Sequence, residues 1–95
     1  MVTAIVHIKA DVARIPEVAE AVADIDGVSE VYSITGEYDL LAMVRVSSYE
    51  RIADVVPRTL NKVPGILHTE THVAFRTYSK HDLDAAFSIG LADAD

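Results

Sequence analysis

The feature that most constrains the fold is an internal echo. Residues 14–33, RIPEVAEAVADIDGVSEVYS, and residues 51–71, RIADVVPRTLNKVPGILHTET, both open on Arg-Ile. Both then carry valines at helical spacing and close on Gly followed by a β-branched residue. A segment of alternating polarity follows each. Repetition of this kind is read before anything else, and each unit reads as a helix, a glycine stop and a strand.

In the first unit Ile15, Val18, Ala19, Val22 and Ile25 mark one helical face. Pro16 suits the opening turn, where its missing N–H is not needed. Gly27 can take the left-handed conformation that ends a helix. In the second unit Ser47 and Glu50 stand at capping-box spacing, and Ile52, Val55, Val56, Leu60 and Val63 form the stripe. Pro57 conflicts with a helix interior, because it removes a hydrogen bond and clashes one turn back. The expectation is a continuous helix kinked at Pro57 and ended by Val63-Pro64-Gly65-Ile66.

Four strands fill the rest: TAIVHIK, SEVYSIT, DLLAMVRV and LHTETHVAF. The order is then β-α-β-β-α-β, the split ferredoxin-like pattern of an α+β fold. Right-handed crossovers give spatial order 4-1-3-2. Strands one and three should be central and apolar on both faces. Ala4, Val6 and Ile8 share one parity and Ile5 the other; Leu40, Ala42, Val44 and Val46 oppose Leu41 and Met43. The expected edge strands carry Ser29, Glu30, Ser33, His68, Glu70 and His72. Both helices cover one face, which leaves Ile5, Leu41 and Met43 wet on the other. Such a patch marks an interface. The expectation is a dimer packed sheet face to sheet face, a dimeric α/β barrel, with His7, Arg45 and Glu70 beside Ile5, Leu41 and Met43.

The 95 residues make one domain. The ferredoxin-like body is expected over residues 1–79 and an acidic extension over residues 80–95, with a short helix expected around Leu83 to Phe87. A domain this small buries only roughly 60% of its unfolded surface, so a partner subunit helps. There is no cysteine, hence no disulfide framework and no thiolate chemistry. No basic, apolar leader opens the chain, and no apolar run approaches the roughly 20 residues of a membrane span. We expect a cytoplasmic protein without membrane contact. The formal net charge of −7 opposes binding to a phosphate backbone.

HTETH, residues 68–72, imitates metal-ligand spacing. On a strand, however, four residues span about 13 Å, too far for one ion. His68, Glu70 and His72 share a face, with His7 on the neighbouring strand. The reading adopted is a polar cluster in the dimer interface, with a metal site and a pH-sensitive interface as alternatives. No metal and no cofactor are expected. No Gly-rich phosphate loop or catalytic triad stands out. Tyr32, Tyr38, His7 and His72 offer only generic acid–base groups, so no catalytic residue is assigned.

TGEYDLL, residues 35–41, is the most informative stretch. Gly36 supplies positive φ where strand two turns into strand three. That does not account for Asp39, which heads an apolar central strand. A carboxylate there is costly unless it meets a cation or backbone N–H groups. Exposed turn amides can donate to an anion and the Asp can accept from an ammonium, a combination that suits a zwitterion.

IDGVSEVYSITGEYDLLAMVRV and VPGILHTETHVAF together resemble the effector-binding (RAM) domain of the Lrp/AsnC regulators, over about residues 2 to 80. The resemblance implies sheet-to-sheet dimers, further assembly into rings, often octameric, and an amino acid or related molecule bound where dimers meet. It assigns Gly36, Glu37, Tyr38 and Asp39 to the effector loop and Thr71 and His72 to the last strand near the pocket. Tyr32 and Tyr49 fall near it by position. Family regulators carry an N-terminal helix-turn-helix, whereas here Met1 directly precedes the first strand. The expectation is a stand-alone module that senses an amino acid or co-assembles with full-length relatives and does not bind DNA itself. Two other classes stay open: a cofactor-free dimeric enzyme resembling the monooxygenases of this fold, and a ligand-free assembly partner of full-length regulators.

Overall fold

A computed structural model describes residues 1–80, so the expected helix around Leu83 to Phe87 lies outside the described residues. Strand β1 (Val2–Ala10) leads through a short 3-10 turn (Val12–Arg14) into helix α1 (Ile15–Ala23). Strands β2 (Val28–Ser33) and β3 (Leu40–Val46) follow, then helix α2 (Tyr49–Val55), a second 3-10 turn (Leu60–Lys62) and strand β4 (Ile66–Ala74). The sheet order is β2-β3-β1-β4 and every pairing is antiparallel. This is the expected 4-1-3-2 order read from the other edge.

Parity does what the alternation requires. Ala4, Val6, Ile8, Leu40, Ala42 and Val44 are fully buried. They form one core with Val18 and Val22 of α1 and with Ile52, Val55, Val56 and Leu60. Pairing puts Ile5 opposite Met43 and His7 opposite Leu41, so these four share the other face, where each is only half-buried. Pro16 sits in the first turn of α1, as its chemistry favours.

The second helix departs from expectation. It ends at Val55, with Val56 as its C-terminal cap. Pro57 stops the helix instead of kinking it, because the bonded turn it would have to join is the one it breaks. Asn61 N–H instead donates to the Val56 carbonyl at 2.8 Å. Val56 and Leu60 still reach the core, so burial follows the predicted stripe although the backbone does not. The Ser47–Glu50 capping box also fails. Ser48 is the N-cap, and it makes no side-chain capping bond.

Among the described residues no helix is long and apolar enough to cross a membrane.

Candidate functional site

The β2–β3 connection is a six-residue loop, because Ser33 and Leu40 are the last paired residues. Ile34 N–H closes it by donating to the Asp39 carbonyl at 3.0 Å. Gly36 has φ of 108°, and a Cβ added there would meet nothing within 4 Å. The glycine is needed for the backbone conformation, and the space above it is open. The N–H groups of Gly36, Glu37 and Tyr38 donate to no other described residue.

Asp39 meets both of the partners its position demands. Its Oδ2 accepts the Ala10 N–H at 2.9 Å and lies 4.0 Å from Lys9 Nζ. Ala10 follows a register shift between Lys9 and Ala10 in the β1–β4 pairing. An irregularity of this kind leaves a backbone group unpaired by the ladder, and the carboxylate takes it up. The Asp39 N–H in turn donates to the Ile8 carbonyl at 2.9 Å, so the residue is tied to β1 at both its backbone and its side chain.

Tyr38 leans from the loop across the open face of β1 and β4. Its hydroxyl donates to Glu70 Oε1 at 3.1 Å. Its ring lies 5.4 Å from that of His7 and stacks on His68 at 6.3 Å. Burial, then the hydrogen bond to the Glu70 carboxylate, holds the Tyr38 phenol above its ordinary value. Glu70 opposes His7 in the sheet and His72 opposes Ile5. His72 Nε2 lies 2.7 Å from Glu70 Oε2. The hydrogen bonds from His72 and Tyr38 hold the Glu70 carboxyl below its ordinary value.

On the far side of the same face Arg45 donates to Glu30 Oε1 at 2.7 Å and to Ser29 Oγ at 2.6 Å, and the Tyr32 hydroxyl donates to Glu30 Oε2. The Tyr32 and Arg45 bonds lower the Glu30 carboxyl, and the same Glu30 contact raises the Tyr32 phenol. Ile5, Leu41 and Met43 lie between the two polar clusters. A depression of about 240 Å³ opens beside the loop, lined by Lys9, Glu37, Tyr38 and His68.

The fold therefore brings Gly36, Glu37, Tyr38 and Asp39 to one end of the open face, with His68 beside them, while His72 lies further along the same face opposite Ile5. It does not bring every candidate there. Thr71 pairs with Val6 and so points to the helix side, exposed at the edge strand. Tyr49 opens α2 beyond the far end of β3, roughly 20 Å of strand away from the loop. Tyr32 is turned towards Glu30. Lys9 was missed by the sequence reading. Its signal was parity, since it shares a face with Ile5 and His7 along β1.

A model of the family described as the Lrp/AsnC ligand binding domain matches residues 3–83. An uncharacterized HTH-type transcriptional regulator of Pyrococcus horikoshii is 46% identical over 61 residues, which are 64% of this chain and 41% of the regulator. The chain thus spans about two fifths of that curated relative's length. TTHA0845 from Thermus thermophilus superimposes with a TM-score of 0.80 at 42% identity, over 84% of this chain and 100% of that one. The transcriptional regulator NMB0573 of Neisseria meningitidis, solved as its L-Met complex, shares the fold at 19% identity and a TM-score of 0.73, over 82% of this chain and 52% of that one.

Proposed function

The chain belongs to the Lrp/AsnC ligand-binding domain family, and from that premise we propose that it is a regulatory module which binds an amino acid at the β2–β3 loop and assembles through its open sheet face. The observation that carries the reading is the juxtaposition at that loop. Amide N–H groups of Gly36, Glu37 and Tyr38 make no hydrogen bond to the described residues, the space above Gly36 is open, and the Asp39 carboxylate and the Lys9 ammonium lie on the same loop and the adjoining strand. Amides and an ammonium attract a carboxylate; an aspartate attracts an α-ammonium. Asp39 commits Oδ2 to Ala10, and Oδ1 is the oxygen that meets the ligand.

Glu37 and Tyr38 flank this point in one protomer, with His72 further along the same face. Thr71, Tyr32 and Tyr49 join it from a neighbouring dimer, in keeping with a pocket formed where dimers meet. The dimer itself packs Ile5, Leu41 and Met43 against their counterparts, with His7, Arg45 and Glu70 around them. Dimers assemble further, to an octamer, and mixed assemblies with full-length regulators follow from the same surfaces. Relatives are named as transcriptional regulators, which favours regulation over an enzyme. A depression opens at the loop, which is where the regulatory reading places its ligand; a monooxygenase of this fold would bury its substrate between sheet and helices.

Native mass spectrometry with a panel of amino acids tests the proposal, with L-Met tried first. The expected result is a dimer or larger species carrying added ligand mass. Failure of every amino acid to bind rejects the ligand class, and a monomer at micromolar concentration rejects the assembly.

A further inference from the structure

We propose that His7, Glu70 and His72 bind one divalent transition-metal ion of the Zn²⁺ class on the open face of the sheet. The objection to HTETH as a metal motif concerns His68 and His72, which are separated along one strand by about 13 Å. It does not apply across strands. His7 lies opposite Glu70, and His72 lies opposite Ile5, one side-chain step along the same face. The His7 and His72 rings are 5.8 Å apart, edge to face. One donor atom from each of His7, Glu70 and His72 lies within 4.8 Å of the others.

An ion with bonds of about 2.0–2.1 Å in tetrahedral geometry needs its donors roughly 3.3 Å apart. Rotation of the exposed Glu70 and His72 side chains towards His7 would close the difference. The His72 and Glu70 side chains are 59% and 50% exposed, so neither is locked by packing.

Two further observations point to a ligand. His7 Nδ1 is buried and has no hydrogen-bond partner among the described residues. A buried polar atom in that state is uncommon and calls for an explanation; coordination through Nδ1 itself would supply one. Tyr38 donates to the carboxylate oxygen of Glu70 that His72 does not engage. A ligating carboxylate is commonly oriented by such an outer hydrogen bond. The donor set selects the ion. Two imidazoles with one carboxylate suit Zn²⁺, Co²⁺, Ni²⁺ or Cu²⁺ and not Mg²⁺ or Ca²⁺, which take oxygen ligands. Three protein donors leave one position free for water or for a group from the copy packed on this face.

The test uses the full chain, stripped by a chelator and titrated with Zn²⁺ in a calorimeter, with visible absorption of the Co²⁺ form as a second readout. No amino acid is present, so failure here is separate from failure of the effector reading. The expected result is one ion per chain and a tetrahedral Co²⁺ spectrum. His72→Ala and Glu70→Gln, at exposed positions, should bind more weakly by about 100-fold, and Tyr38→Phe by about 10-fold through the lost outer bond. His68→Ala, on the same face but outside the triad, should bind as wild type. Circular dichroism of each variant confirms the fold. No saturable Zn²⁺ binding overturns the proposal. So does equal loss in His68→Ala and His72→Ala, which would mean nonspecific capture by surface histidines.

Discussion

Asp39 heads an apolar strand, and a carboxylate there needs a cation or backbone donors. Both are present, as the Lys9 ammonium and the Ala10 N–H. The requirement was legible in the sequence. The partners were not, because they sit on β1 beside a register shift that no periodicity announces. Asp39→Ala leaves the Ala10 N–H unpaired and should cost about 1–3 kcal/mol in urea unfolding. Asp39→Asn keeps an acceptor and should stay within about 1 kcal/mol of wild type. The glycines divide in a similar way. Gly27 and Gly36 both have positive φ, but a Cβ at Gly27 would lie 2.8 Å from Val55 Cγ2 and 3.1 Å from Val46 Cγ1, whereas one at Gly36 meets nothing. Gly36→Ala should cost roughly 1–2 kcal/mol of backbone strain, and Gly27→Ala roughly 1–3 kcal/mol more from overpacking. Equal losses in thermal unfolding would contradict that account.

At the scale of elements, alternation on β1 and β3 was enough to separate core from open face, because a strand side chain has only two directions. The second helix was harder. Its stripe is legible in the sequence and its backbone is not, since burial of Val56 and Leu60 is compatible with either a kinked helix or a broken one. Carboxylates add to the ladder: Glu30 ties β2 to Arg45 on β3, and Glu70 ties β4 to Tyr38 in the β2–β3 loop. Glu30 is lowered by Tyr32 and Arg45, and Glu70 by His72 and Tyr38. A carboxyl whose folded value is lowered stabilises fully above its ordinary value of 4.5 and loses that effect as pH falls through the folded one. The paired phenols run the other way. Tyr32 and Tyr38 are raised above 10.0, so their contribution holds below that pH and is lost as pH rises through the folded value. The melting temperature should therefore decline below about pH 4.5, and Glu30→Gln with Glu70→Gln should flatten the acid limb. An unchanged acid limb in that double variant would show that these pairs carry no linkage.

For the whole molecule, strand order was legible because two right-handed crossovers leave one arrangement, and the observed sheet has it. The candidate site was legible only along the chain. Gly36 to Asp39 are contiguous and could be read as one loop, whereas Lys9 reaches that loop from β1 and Thr71 turns away from it on β4. Those relations are set by register, which sequence spacing does not reveal. Half-buried Ile5, Leu41 and Met43 form the face through which copies should join. Met43→Glu puts a charge into a patch that the proposed dimer would desolvate and should shift light scattering towards monomer, with the secondary structure unchanged. A net charge of −7 predicts that this chain alone gives no sequence-specific retention of duplex DNA in a gel shift. The central claim is that the loop holds a zwitterion through Asp39. Calorimetry of wild type and Asp39→Asn with the amino acid identified by mass spectrometry tests it most directly, with sizing of both proteins. One charge-assisted bond contributes roughly 1.5–3 kcal/mol, so the variant should bind about 10- to 100-fold more weakly while keeping the wild-type assembly. Equal affinity in the two proteins would contradict the account and leave Asp39 as a brace for the Ala10 bulge alone.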